Sequence, residues 1–369
     1  MNAQNIENKP KIRKESKNKI RVEFERTPLK ERLKAKFLSM FFIKKIVWFL
    51  FRLVLLIGIS YIVLFPFFTK IAGSFMAQED FVDVTVRLIP KNFSLDIYKA
   101  VWTELEYMKA FANTLLLSLS TAVIQTFVCC FVAYGLAKFK FKGNKLIFLA
   151  VIFSLVIPHQ TLQLSLFMNF RYFDLFGIFK LLGGGKLELF GKTLVDGAID
   201  IFPDSWEAFT PNGLVLTNTF APLIILSIFG LAFKNGLYIF LLRQFFRGVP
   251  DELEESAYID GSGIIRTFLT IILPISVPMM ITVFLFSFSW QWTDDFYTNL
   301  FFTTSKVKLL PKILDIPKSL TTDFPGQNLY YAAIRNTCGM MIIAPLIVMY
   351  LFCQRYLVQG IERSGLTAD

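Results

Sequence analysis

The sequence predicts an all-α polytopic membrane protein: six transmembrane helices, with a polar helical loop held between the fourth and fifth. Three observations predict this. Hydrophobic residues make up 54% of the 369 and Phe alone supplies 42 of them. The mean hydropathy is +0.53, more apolar than ordinary soluble domains. Six apolar stretches reach the roughly 20 residues that a helix needs to cross a hydrocarbon core. Finally, residues 250–278, PDELEESAYIDGSGIIRTFLTIILPISVP, are charged and helix-forming yet lie between two of those stretches. That segment belongs in water while its neighbours belong in lipid.

Residues 1–45 form a polar, basic N-terminal segment, and residues 1–20 have a disordered composition. Lys and Arg crowd into 9–45, directly before the first apolar stretch, so the net charge of +11 reads as a cytoplasmic flank. No nucleic-acid partner follows from it. Leu33, Phe37 and Phe41 recur beside lysines over 29–42, which suits a helix lying along the inner membrane surface. The spans fall at 46–70, 114–138, 146–170, 219–243, 277–301 and 332–356. The first is too long and too far from the N-terminus to be a cleaved signal peptide.

The loops set the orientation. Lys138, Lys140, Lys142 and Lys145 flank the second link, Arg243 and Arg247 follow span four, and Arg355 and Arg363 follow span six. With both termini inside, all these groups are cytoplasmic, as the positive-inside rule prefers. The third external loop, with Lys306, Lys308, Lys312 and Lys318, runs against it. The other external segments are 71–110 and a longer insertion at about 171–217. In the insertion, KLELF and KTLV flank Gly191 with the character of hairpin strands.

Within the polar loop, Asp251 reads as the cap of a helix begun at Pro250, with Glu252, Glu254 and Glu255 in the first turn, where the dipole favours acids. Ser256 and Ala257 leave one face flat, and Asp260-Gly261 ends the helix in a turn. A second helix is expected from about residue 263, stopping at Pro274. A helix–turn–helix joined rigidly to spans on both sides is a shape that a partner can push.

Chemistry within the chain is hard to assemble from these residues. Cys129, Cys130, Cys338 and Cys353 all lie in spans and read as small buried apolar residues, and His159 is the single histidine. That excludes a His-based metal site and a His-dependent triad. Gly183-Gly184-Gly185-Lys186 is followed by Leu187 and preceded by Lys180, so it is not a phosphate-binding loop. The expectation is no catalytic residue, no metal and no cofactor in this chain.

Ionisable groups at mid-bilayer cost about 2.5–3.5 kcal/mol on insertion scales, so they face a cavity or a partner. Lys234 stands nine residues before Arg243, about 14 Å along a helix, with Asn235 beside it. Gln160 and Gln163 share a helix face. Trp290, Gln291, Trp292, Asp294 and Asp295 end span five, and Arg335 and Asn336 lie in span six. Aromatic planes with carboxylates and amides make a candidate saccharide route. Their structural readings stand beside it: Trp as an interface anchor, Gln as a tie between helices, and Asp294 with Lys234 as an ion pair.

The segment ELEESAYIDGSG, followed by FLTIILPISVP, resembles the EAA motif of permease subunits of ABC importers. The blocks FANTLLLSLSTAVIQTF, AYGLAKFKFKG, IFLLRQFFRGVPDELEE, LFSFSWQWTDDF and QRYLVQGI are similar to the carbohydrate-uptake group, in particular its maltose-type second permease. The resemblance covers roughly 46–363, interrupted by one insertion, with the coupling loop at about 244–276 and a tail at 364–369. Ser256 replaces the usual Ala and keeps the small volume; Thr293 stands where related sequences often carry Asn; the tail IERSGLTAD lacks the common glycine-lysine ending.

The resemblance implies a type I ABC importer permease in the cytoplasmic membrane of a prokaryote. It implies a second related permease, two copies of an ATPase that hold ATP and magnesium, an external solute-binding protein, and surrounding lipid. Glu252, Glu255, Ser256, Ala257, Asp260 and Gly261 would then couple the chain to the ATPase. The insertion at 171–217 either meets the binding protein or adds stability. The rival readings are a permease for an amino acid or polyamine, and a secondary transporter, which would normally need more spans or internal repeats.

Overall fold

The computed structural model describes residues 40–174, 178, 187–189, 192–195, 209–210, 213–304, 307–321, 323 and 326–365. The expectations for 1–39, for the glycine run at 183–186 and for 366–369 lie outside the described residues. The chain divides into two units, 1–67 and 68–369.

Helix α1 spans Met40–Ser74 and runs from the first unit into the second. Its mostly apolar sequence has no proline before Pro66, which the helix accommodates. In the first unit the Trp48 ring stacks on Phe51 at 5.6 Å, and the Arg52 guanidinium lies 4.9 Å from the Trp48 centroid. With Lys44 and Lys45 these residues have the basic and aromatic chemistry of a membrane interface.

The second unit contains the remaining described elements. They are α2 (Asp96–Thr103), α3 (Tyr107–Lys138), α4 (Asn144–Val156), α5 (Gln163–Arg171), α6 (Ala221–Ile228) and α7 (Asn235–Gly248). Then follow α8 (Glu252–Ile259), α9 (Ile264–Thr267), α10 (Leu273–Trp292), α11 (Phe296–Phe301) and α12 (Gln327–Gly365). Two short antiparallel hairpins complete it: β1 (Leu187–Leu189) with β2 (Lys192–Val195), and β3 (Phe209–Thr210) with β4 (Gly213–Leu214). The first of these is the hairpin expected around position 191.

Helix α3 is the mast of the unit, packed against α6, α7 and α10, while α10 also packs on α12 and α4 on α7. Small and polar residues on its buried faces, among them Ala110, Ser118, Ala122 and Ala133, let these neighbours approach closely. Tyr134, Tyr238, Phe246, Phe268 and Met280 form one cluster, near the end of α3 that meets α8. Val101, Tyr107, Phe288, Trp292 and Ile334 form a second, and Leu117, Phe170, Leu223, Tyr297 and Phe301 a third.

The six apolar stretches are all helical, but they are not six simple rods. Among the described residues, four helices are long and apolar enough to cross a membrane: Lys44–Ser74, Tyr107–Lys138, Ile264–Trp292 and Gln327–Leu357. The third stretch is bent by 95° between α4 and the helical turn that leads into α5. Pro158 lies at the bend, where its missing N–H and the restraint on Ile157 end the first helix. The fourth stretch is divided into α6 and α7, about 12 and 21 Å long at 1.5 Å per residue. Gly230 and Lys234 both adopt positive φ in that break. Lys234 is therefore not mid-helix, as its spacing from Arg243 suggests, but the residue that precedes α7.

The fifth span also differs from expectation. The helix begun at Ile264 does not stop at Pro274; it passes through a π-turn, Phe268–Ile272, directly into α10. The Leu273 N–H donates to the Phe268 carbonyl five residues back, and this wider turn makes room for the proline ring. At the far end, α10 finishes at Trp292, and Asp294 and Asp295 lead into the separate α11.

Close approach of α4 and α7 depends on Gly236. A Cβ there would stand 2.6 Å from Ser154 Oγ and 3.0 Å from the Val151 carbonyl oxygen. Gly236→Val is expected to cost about 1–3 kcal/mol by forcing these helices apart. A drop in the thermal midpoint of the purified complex, measured beside Gly339→Val at an open site, checks this.

In the loop after α1, buried Asp80 accepts hydrogen bonds from the Lys91 and Asn92 backbone N–H groups and from Asn92 Nδ2. Partly exposed Asp83 accepts from both the N–H and the hydroxyl of Thr85, and these bonds, with Lys91, bring its pKa down to about 2.

Candidate functional site

Two regions bring the candidate residues together: the α8 loop and a cleft beside α4, α6 and α7. In the loop, α8 is anchored from within. Lys138, the last residue of α3, reaches across with Nζ and donates to the Val249 carbonyl and to Asp251 Oδ1, each at 2.6 Å. Its Nζ also lies 3.5 Å from Glu254 Oε1, an ion pair without hydrogen-bond geometry, while Tyr134 donates its hydroxyl hydrogen to Glu254 Oε2 at 3.3 Å.

Asp251 stands at the helix start but makes no capping bond to the α8 backbone, because its carboxylate is engaged by Lys138. That hydrogen bond holds Asp251 below the usual carboxylate range. Its contribution is present above the unfolded carboxylate pKa and fades as pH falls through the lowered value.

Of the expected coupling residues, Glu252, Glu255, Ser256 and Asp260 are exposed, and Gly261 has φ +82 with open space around it. Ala257 is different. It is buried on the same face as Glu254, three residues earlier, and so packs against the chain's own bundle rather than offering itself to a partner. Ser256 Oγ donates back to the Glu252 carbonyl. The exposed side is apolar as well as acidic: Leu253, Tyr258, Ile259, Ile264 and Ile265 are exposed, with Ile259 at 86%. A rigid, acidic and greasy projection is suited to being gripped by a cleft on another protein.

The second region is a cleft of about 630 Å³ at the two broken spans, with Gln160, Lys234 and Asn235 on its wall. Lys234 Nζ sits 4.8 Å from the Phe233 ring and 4.7 Å from the Trp290 ring. The His159 ring meets Phe233 edge-on at 4.9 Å. A smaller adjoining pocket is lined by Trp290, Asp294, Phe233 and Tyr297. Asp294 does not pair with Lys234. It accepts the Thr298 N–H at 3.0 Å and caps α11.

The remaining candidates scatter. Gln163 is exposed at the start of α5, and Asp295 is exposed with Oδ1 bonded to Asn299 Nδ2. Asn336 lines a separate cleft of about 550 Å³ with Thr69, Asp80 and Arg87. Trp292 is only 1% exposed and donates its indole N–H to the Ile342 carbonyl at 2.9 Å. It is a core anchor between α10 and α12, not part of a route, because its ring faces the cluster with Phe288 and Ile334.

Sequence reasoning did not find the Lys138–Glu254 brace, whose partners are 116 positions apart. It also missed a buried chain of polar groups. Ser287 donates to Gln125 Oε1 at 2.8 Å, Gln125 Nε2 donates to Ser227 at 3.2 Å, and Ser227 donates to the Leu223 carbonyl. These bonds tie α10, α3 and α6 together in an apolar setting. Gln125 sitting in a span is the signal that points to them.

The family model described as binding-protein-dependent transport system inner membrane component matches residues 125–363. The chain belongs to that family. Its members are transport components rather than enzymes, and this permease is accordingly a multi-pass component of the inner membrane. Among relatives, it is 29% identical over 272 residues to the alpha-glucoside transport system permease protein AglG of Rhizobium meliloti, covering 74% of this chain and 60% of that one. It is 26% identical over 310 residues to the arabinooligosaccharides transport system permease protein AraQ of Bacillus subtilis, covering 83% and 92%. In structure it resembles a chain of a bacterial ABC transporter involved in the import of the acidic polysaccharide alginate, with TM-score 0.61 and 16% identity over 85% of this chain and 97% of that one. The last likeness concerns the fold.

Proposed function

We propose that this permease forms half of the membrane passage of a saccharide importer, paired with a second, related permease. Two copies of an ATPase grip the two permeases from the cytoplasm, an external solute-binding protein delivers the sugar, and both termini lie inside. The chain itself hydrolyses nothing. ATP, with magnesium, acts on the ATPase subunits, and α8 transmits their closure to the spans.

The observation that carries this reading is the pairing of an exposed acidic and apolar face on α8 with a buried brace to the end of α3. A force on α8 reaches α3, the helix on which α6, α7 and α10 pack, without a flexible joint between. The saccharide class is supported by the names of the relatives and by the aromatic and amide lining of the cleft, where rings stack on apolar sugar faces.

Gly261 provides the test. Its φ of +82 belongs to the left-handed region that a Cβ disfavours. Gly261→Val is expected to cost about 1–3 kcal/mol locally and to turn the loop out of its seat. Reconstituted importer with this change should lose most of its sugar-stimulated ATPase activity and uptake. Normal values of both would remove α8 from the coupling role.

A further inference from the structure

Among the described residues, the cation in the cleft between the broken spans has no ion-pair partner. Lys234 is half-buried in left-handed backbone between α6 and α7. Its ammonium enters none of those ion pairs and lies over the faces of Phe233 and Trp290. Next to it Asn235 is 1% exposed, and neither its Nδ2 nor its Oδ1 has a hydrogen-bond partner. Buried amide groups are seldom left unpaired, because an unsatisfied polar atom keeps its full desolvation cost. Both residues line the same cleft at the N-terminus of α7, which Lys234 precedes and Asn235 begins, and the dipole end there adds positive potential. Asp294, which lines the adjoining pocket, is committed to the Thr298 backbone N–H of α11. His159 and Tyr297 are the other titratable side chains on the wall.

A neutral sugar needs aromatic faces and hydrogen-bond groups, and gains little from a fixed cation. Keeping an ammonium in a membrane span is costly, and an anionic solute in the cleft offsets that cost. We propose that this cleft receives the carboxylate of an acidic saccharide, with Lys234 taking the charge. Phe233 and Trp290 stack on the ring of the sugar, and the Asn235 amide gains a partner when the helices open. The inference rests on the saccharide reading and narrows it to uronate-containing oligomers.

The test uses the whole importer in proteoliposomes with its binding protein. The probes are uronate oligosaccharides with free carboxylates and the same oligomers with the carboxylates methyl-esterified. Wild type should import the free acids at least tenfold better. Lys234→Gln should reduce that ratio at least tenfold, and Lys234→Arg should keep it. A wild-type ratio near one, or a ratio unchanged by Lys234→Gln, overturns the proposal. Equal loss of both probes in the Gln variant also overturns it, by marking Lys234 as a structural partner of the companion permease. Import of neutral oligosaccharides with neither probe carried sinks the carboxylate but spares the sugar reading. Import of no saccharide at all sinks both.

Discussion

Lys138→Met should leave an importer that hydrolyses ATP without moving sugar. The substitution keeps the aliphatic stem but removes the ammonium that touches the Val249 carbonyl, Asp251 and Glu254 together. The Lys138 side chain is 6% exposed and that of Glu254 is 9%, so the change strands a carboxylate away from water. Breaking one partner of a buried pair costs about 3–5 kcal/mol. The low end is expected, because Tyr134 still donates to Glu254. The expected readings are an uptake rate reduced at least tenfold and a lower thermal midpoint for the complex. Adding Glu254→Gln removes the stranded charge and should restore much of the stability, a coupling that a double-mutant cycle measures. Wild-type uptake in Lys138→Met would show that force does not pass through this brace.

Trp292→Ala should stop the permease from accumulating in the membrane at all. The indole is 1% exposed, stacks on Phe288 at 5.5 Å and meets Phe111 edge-on at 5.5 Å. Emptying such a site costs about 3–5 kcal/mol, and the Ile342 carbonyl loses its donor as well. Trp292→Phe separates the two effects. It preserves most of the packing and forfeits one hydrogen bond, about 0.5–1.5 kcal/mol, so that variant should assemble and import. Normal accumulation of Trp292→Phe with abolished uptake would return this residue to the sugar route.

Much of this was legible in the residues, and the reasons differ from one region to the next. The loop announced itself because acids, small residues and Asp-Gly stand between apolar runs, and Gly261 does take the left-handed turn that its position suggests. The hairpin around position 191 was legible from two short β-prone runs. The route residues were only half legible. Polarity in a span says that a side chain avoids lipid, but a cavity, a cap and a core bond all meet that need. Gln160, Lys234 and Asn235 share a cleft wall, Asp294 became a cap, and Trp292 became a core anchor. Pro274 misled because a π-turn absorbs a proline without ending the helix.

Sequence alone determined the solvent of each segment, since hydropathy and charge are sums over neighbours in the chain. From that came the spans and the polar loop. Tertiary structure decided which polar groups meet: that Lys138 finds Glu254, that Ala257 turns inward, and that two helix breaks open onto one cleft. Those meetings depend on the rotation and bend of packed helices, which arise from contacts between residues far apart in the chain, and no local pattern records them.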